Sequence, residues 1–191
     1  MDCVSVLKLE DTDYEEAVKH YSIEEAKKPE KCEANGTNKE IVSKVKLLNP
    51  RKGVSVKAYC KNCREFSDSI LSDIRFKKSD RRVLVLGTEE CMYPAIMLGK
   101  SIEELGNISV FTHSTTRSPI GICDDADYPI KNGYKLHSFY DKDRTTYIYN
   151  LQGYDQVIIV TDSKNIPEAS KESIISALNM NGNDNILLIK G

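Results

Sequence analysis

Four short apolar runs, each closed by a glycine or a polar residue, constrain the fold more than any other feature of this sequence. They are "RRVLVLG" (81–87), "NISVFTH" (107–113), "YDQVIIVTD" (154–162) and "NILLIKG" (185–191). A compact apolar run such as "RRVLVLG" fits a strand buried on both faces of a parallel sheet, and the other three runs supply its companion strands. Parallel neighbours need a crossover, and helices are expected to supply it between the first and second runs and between the third and fourth. Pro94 suits a first helical turn, Gly106 suits the residue just past a helix end, and Ala95, Leu98, Ile102 and Leu105 share one face, so a helix is predicted over 94–105. Pro167 opens a second helix that turns Ala169, Ile174, Ile175 and Leu178 toward the sheet and ends at Gly182. Residues 121–156 are irregular, with "KLHSFY" and "TTYIYNL" as candidate strands. The expected class is α/β: an open, mainly parallel, Rossmann-like or phosphoribosyltransferase-like sheet carrying a small N-terminal α+β appendage.

The first 75 residues read differently, which divides the chain into an appendage of uncertain fold (1–75) and a ligand-binding α/β domain (76–191). "DYEEAVKHYSIEEAKK" places Tyr14, Ala17, Val18 and Tyr21 at helical spacing, and "PEKCEANGTN" reads as a loop. "EIVSKVKLL" fits a strand or a helix. "GVSVKAYC" alternates with period two and reads as a strand.

Composition narrows the functional classes. The 191 residues are 40% hydrophobic and 29% charged with a formal net charge of -2, so the basic field that duplex nucleic acid requires is missing. The start, "MDCVSVLKLEDTD", lacks the pattern of a secretory signal, and no apolar run approaches the roughly 20 residues that cross a bilayer. A cytoplasmic protein without membrane or nucleic-acid partners is expected. In that compartment the six cysteines are ordinary thiols first. The Cys60–Cys63 pair in "YCKNCRE" also admits a zinc site completed by Cys32 and His20, or a redox dithiol, while Cys3, Cys91 and Cys123 form no second close pair.

Three polar clusters fall at the carboxyl ends of predicted strands, where open α/β sheets bind ligands. In "STTRSP", Ser114, Thr115, Thr116 and Ser118 offer hydroxyls, and Arg117 offers a planar fork that matches phosphate or carboxylate. Pro119 keeps the segment extended. Anion binding is the favoured reading, and a turn whose hydroxyls bond their own backbone is the competing one. In "GTEECMYP", Gly87 permits close approach and Thr88 follows it. Glu89 and Glu90 are either partners of a helix dipole or carboxylates that hold ribose-type hydroxyls, an amine or Mg²⁺. In "TDS", Asp162 binds a hydroxyl or metal or caps the next helix, with Ser163 beside it. Tyr93 and Tyr128 are candidates to stack on a base. His113 is better placed than His20 or His137, with a structural role ahead of a catalytic one. No nucleophile elbow, Walker A loop or H-E-x-x-H is present.

These residues carry a resemblance. "VLVLGTEECMYPAIMLGKSIEE", "VFTHSTTRSPI" and "DYPI" resemble the TRSP domain family, named for the motif that here is Thr116, Arg117, Ser118 and Pro119. The family's strand-end pattern is matched at Leu86, Gly87, Thr88, Glu90, Met92, Tyr93 and Pro94, and the likeness covers roughly residues 75–190. It implies a companion of orotate-type phosphoribosyltransferases in bacterial stress-response and tellurite-resistance gene clusters, linked to a nucleoside-like product. It therefore implies a phosphorylated or nucleotide-like small molecule as ligand, with a phosphoribosyltransferase as protein partner. A divergent phosphoribosyltransferase, a hydrolase acting on its product, and a non-catalytic interaction module are the alternatives. Residues 155–182 are also similar to the phosphoribosyltransferase strand, loop and helix. Thr161 stands for the first acid, however, and "SKN" for the Thr-Thr-Gly part of the phosphate loop, which argues against standard phosphoribosyl transfer.

Overall fold

The computed structural model describes residues 21–31, 37–77 and 79–191. Five strands form one sheet: β1 (Thr37–Val42), β2 (Arg82–Gly87), β3 (Ser109–Ser114), β6 (Gln156–Thr161) and β7 (Asn185–Lys190). Their order is β1-β7-β6-β2-β3, and every neighbouring pair is parallel. A separate antiparallel hairpin pairs β4 (Gly133–His137) with β5 (Thr145–Tyr149). The expected α/β class with a mainly parallel sheet is what the chain adopts.

The central strands are apolar throughout because both of their faces are covered. Val83, Val85, Ile158, Val160, Leu187 and Ile189 point to one face. There they meet Phe66 and Ile70 of α1 (Val56–Asp73) and Ala95, Leu98 and Ile102 of α2 (Met92–Glu103). Leu84, Leu86, Val157, Ile159, Ile186 and Leu188 point to the other, where Ile174, Ala177 and Leu178 of α3 (Glu168–Asn179) and Leu136 and Ile148 of the hairpin close over them. Gly99 lets α2 approach β3: a Cβ there would lie 2.8 Å from the Thr112 methyl. Ala169 and Leu105 do not join these cores. Ala169 is exposed ahead of the first buried turn of α3, and Leu105 lies past the end of α2.

Residues 37–73 belong to the same sheet and helix layer. β1 extends the sheet beyond β7, in register from Thr37↔Asn185 to Val42↔Lys190. The stretch read as a strand, "GVSVKAYC", instead opens α1. Ser55 caps the helix by accepting from the Ala58 amide at 3.2 Å, and Cys63, Phe66, Ser67 and Ile70 recur at helical spacing on the buried side. Four alternating positions are too few to outweigh that longer period. In "DYEEAVKHYSIEEAKK", Tyr14, Ala17 and Val18 lie outside the described residues. Its later part runs extended, with Glu24 bridging Ile122 and Lys27 bridging Tyr134. Among the described residues no helix is long and apolar enough to cross a membrane.

The topology fixes where a crevice opens. The chain leaves β2 through α2 to β3 on one face, and leaves β6 through α3 to β7 on the other. Strands β2 and β6 are neighbours, so their carboxyl ends form the point where the winding reverses.

Candidate functional site

At that point the strand ends are joined by hydroxyls. Thr88, just beyond β2, donates from its Oγ1 to Thr161 Oγ1 on β6 at 2.8 Å, and its amide bonds the Val160 carbonyl at 3.1 Å. Gly87 is required here by space. A Cβ would stand 2.6 Å from the Cys91 carbonyl oxygen and 2.9 Å from Met92 Cα, because the loop to α2 folds straight back over the strand end. Glu89, in the middle of that loop, takes a left-handed backbone with φ 46°.

The two glutamates part company. Glu89 is buried. Its carboxylate accepts from Ser138 Oγ at 2.5 Å and from Arg144 at 3.2 Å, and its amide donates to Thr115 Oγ1 at 2.9 Å. It anchors the loop. Glu90 is exposed, and its two oxygens take two different guanidiniums: Oε2 receives Arg51 at 2.6 Å, and Oε1 receives Arg117. Burial raises the pKa of Glu90, but the bond and charge of Arg51 and the charge of Arg117 outweigh it and hold the carboxyl below its ordinary range.

Asp162, at the end of β6, completes the group. Tyr140 donates to its Oδ1 at 2.5 Å, and Arg51 lies 4.0 Å from its Oδ2 while standing over the Tyr140 ring, 5.7 Å from the centroid. Burial, the neighbouring Cys91 and the bond to Asp162 all raise the Tyr140 pKa, so the phenol remains a donor. From Thr88 through Tyr140, Asp162, Arg51 and Glu90 to Arg117, one continuous chain of polar contacts spans the edge. The three clusters singled out in the sequence therefore meet. Beside them, Met92, Ile96, Thr112, His113 and Ser114 line a cavity of about 260 Å³.

The model of the family described as "TRSP domain C terminus to PRTase_2" matches residues 49–178, more than half of the chain and all of the polar edge just described. The chain belongs to the TRSP domain family. By its description, the TRSP domain is a unit found on the C-terminal side of a phosphoribosyltransferase domain. No curated protein and no solved structure matches the chain.

Within the TRSP domain the motif loop is built more firmly than an open anion loop. Thr115 is buried, with its amide bonded to the Gly87 carbonyl and its hydroxyl accepting from Glu89. Thr116 pairs through its backbone with Tyr147, and its hydroxyl accepts the Ser118 amide at 3.2 Å. Tyr149 donates to the Ser118 carbonyl and accepts the Ile120 amide. For Thr115 and Thr116 the competing turn reading describes the contacts. The Arg117 guanidinium, by contrast, projects from a braced loop. His113 is likewise engaged by backbone: one ring nitrogen lies 2.8 Å from the Tyr149 carbonyl, and the other contacts the Ser114 backbone.

Three expected site residues point elsewhere. Tyr93 lies on α2 against α1, its hydroxyl 3.2 Å from Cys60 Sγ and its ring 5.7 Å from Tyr59. Tyr128 packs on Tyr21 and donates to the Gly121 carbonyl. Ser163 is buried, donating to the Phe139 carbonyl at 2.6 Å. The Cys60–Cys63 pair sits on α1 with Cys63 buried, and burial with the neighbouring Cys60 pushes the Cys63 thiol up to about 11 against the lowering effect of Tyr59. Cys3, Cys32 and His20 lie outside the described residues. Among the described residues no three acidic, cysteine or histidine side chains are grouped to hold a metal ion. The carboxylates considered for Mg²⁺ are engaged by Arg144 and Ser138, by Arg51 and Arg117, and by Tyr140.

Four residues of the edge are absent from the sequence reading: Arg51, Ser138, Tyr140 and Arg144. Arg51 rides on a 3₁₀ turn (Pro50–Lys52) whose start Asn49 caps by accepting the Arg51 amide at 2.9 Å. Asn62 of α1 fixes the preceding segment by bonding the Leu48 amide and the Lys46 carbonyl. Ser138, Tyr140 and Arg144 come from the connection between β4 and β5, which arches over the strand ends. Their only sequence signal is Asn-Pro before Arg51 and a turn-rich run after Tyr140.

Proposed function

We propose that this chain is a cytoplasmic domain that binds a phosphoribosyl-bearing or nucleotide-like small molecule at the carboxyl edge of β2 and β6. It works with a phosphoribosyltransferase in making a nucleoside-like metabolite, in the stress-response and tellurite-resistance setting that its family resemblance implies. One observation carries the reading: two arginines from distant parts of the chain converge on a single exposed position at the switch point. Planar guanidinium forks match the oxygens of phosphate and carboxylate, and a braced loop presents Arg117 at small entropic cost. Asp162 stands next to that position as a carboxylate able to address sugar hydroxyls, while Thr88, fully buried and bonded to Thr161 and Tyr140, braces the strand ends beneath it. The family's place beside a phosphoribosyltransferase domain supports the choice of ligand class.

Thermal denaturation with phosphoribosyl pyrophosphate or nucleoside monophosphates, with and without Mg²⁺, tests this. At a ligand concentration about a hundredfold above Kd, binding to the native state adds about 2.7 kcal/mol, which for a domain of this size raises Tm by about 5–10 °C. Arg117→Ala is expected to remove the shift while leaving the unliganded Tm within about 1 °C, since an exposed ion pair contributes little. An undiminished shift in Arg117→Ala would take the motif arginine out of the site.

A further inference from the structure

We propose that Glu90 is a built-in competitor for the anion site, and that Arg51 is the site's second arm. The inference rests on the anion-binding reading above and adds to it the identity of the internal occupant. The ligand class is an anion with at least two oxygens presented side by side: a phosphate monoester or a pyrophosphate.

The geometry points this way for three reasons. First, Glu90 occupies the place between the two guanidiniums in the manner of a ligand, giving one oxygen to each. Arg51 and Arg117 come from the 3₁₀ turn and the motif loop, 39 and 27 residues away along the chain, and meet on this carboxylate. Second, both arms are held by contacts independent of Glu90. Arg51 lies over the Tyr140 ring and near Asp162, and its turn is capped by Asn49. The Arg117 loop is held by Tyr147 and Tyr149. The arms therefore persist when the carboxylate leaves. Third, Glu90 is free to leave. Its side chain is 39% exposed, and the neighbouring Glu89, not Glu90, anchors the loop.

Charge and oxygen number give the direction of exchange. Arg51 also lies 4.0 Å from Asp162 Oδ2, so with Glu90 displaced the two guanidiniums face one carboxylate and keep an excess positive charge for the incoming anion. A phosphate also offers three oxygens where a carboxylate offers two. While Glu90 occupies the arms, the apparent affinity of an incoming anion is reduced by the fraction of time the arms are free. The domain would thus reject weak monoanions and admit ligands that engage both arginines together.

Titration calorimetry with inorganic pyrophosphate tests the proposal on four variants of the full chain. Glu90→Gln keeps the shape and removes the charge, and is expected to tighten pyrophosphate binding about 3–10-fold over the parent. Arg51→Ala is expected to weaken it to the same extent as Arg117→Ala. Glu104→Gln removes an equal charge just past the far end of α2, next to Lys100, and should leave the affinity unchanged. Binding that is unchanged or weaker in Glu90→Gln would overturn the competitor role while leaving the anion site standing, provided that the parent binds and Arg117→Ala does not. Equal tightening in Glu104→Gln would reduce the effect to net charge and overturn it as well. Unaltered binding in Arg51→Ala would remove Arg51 from the site. Binding by Glu90→Gln where the parent binds nothing would support the proposal outright. Failure of both to bind would overturn the anion-binding reading itself.

Discussion

Phe66→Ala is expected to lower the folding free energy by about 3–5 kcal/mol, the cost of removing a fully buried aromatic side chain and leaving a cavity that its neighbours fill only in part. Phe66 has no exposed surface and lies in the core formed with Ile70, Leu98, Ile158 and Ile189. The prediction has a second part. Because α1 packs on the same sheet face as α2, and β1 pairs along its whole length with β7, the loss should appear in one cooperative transition that includes strand residues 82–87 and 156–161. Denaturant unfolding followed by near-ultraviolet circular dichroism and by hydrogen exchange checks it. Unfolding of residues 37–73 in a separate, earlier step, with the remaining strands keeping parental stability, would show that this region is energetically independent.

Gly87→Val is expected to cost about 3 kcal/mol, at the upper end of what overpacking imposes. The obstruction is backbone: the Cys91 carbonyl oxygen at 2.6 Å and Met92 Cα at 2.9 Å cannot move aside as a flexible side-chain tip would. Relief requires the loop of residues 88–91 to lift from the strand end. That would carry Glu89 away from Ser138 and Arg144, and Thr88 away from Thr161. The variant should therefore lose anion binding as well as stability, even when assayed well below its lowered Tm. A Gly87→Val protein that keeps parental stability and parental ligand response would show that the close approach is not needed.

How much of this was readable follows from how local each feature is. Strands β2, β6 and β7 were legible because burial on both faces leaves an uninterrupted apolar run, as in Val157 to Val160. β1 was legible only in part, as the strand-or-helix alternative for "EIVSKVKLL", since an edge strand such as "TNKEIV" owes its place to pairing with β7 rather than to its own pattern. α1 was misread at its start because Val54, Val56 and Ala58 alternate, while the residues that decide the matter, Cys63, Phe66 and Ile70, lie a turn further on. The same distinction holds at the edge. Thr88, Glu90, Arg117 and Asp162 could be found because each lies within three residues of a strand end, and strand ends of a parallel sheet share one rim. Arg51, Tyr140 and Arg144 arrive from a turn and a hairpin connection whose direction only tertiary packing sets. Tyr93 and Tyr128 illustrate the converse. Nearness in sequence to a site residue did not aim their rings at it, because Cys60 with Tyr59, and Tyr21 with Gly121, engage them first.

The central claim is that the rim at β2 and β6 receives an anionic, phosphoribosyl-type ligand. The most direct measurement is an amide chemical-shift titration of the isotope-labelled chain with phosphoribosyl pyrophosphate. Saturable shifts centred on Arg51, Gly87 to Glu90, Arg117 and Ser118, and Asp162 are the predicted result. Shifts centred instead on the lysine-lined cavity of Lys28, Lys31, Lys135 and His137, or no saturable shift at all, would contradict it.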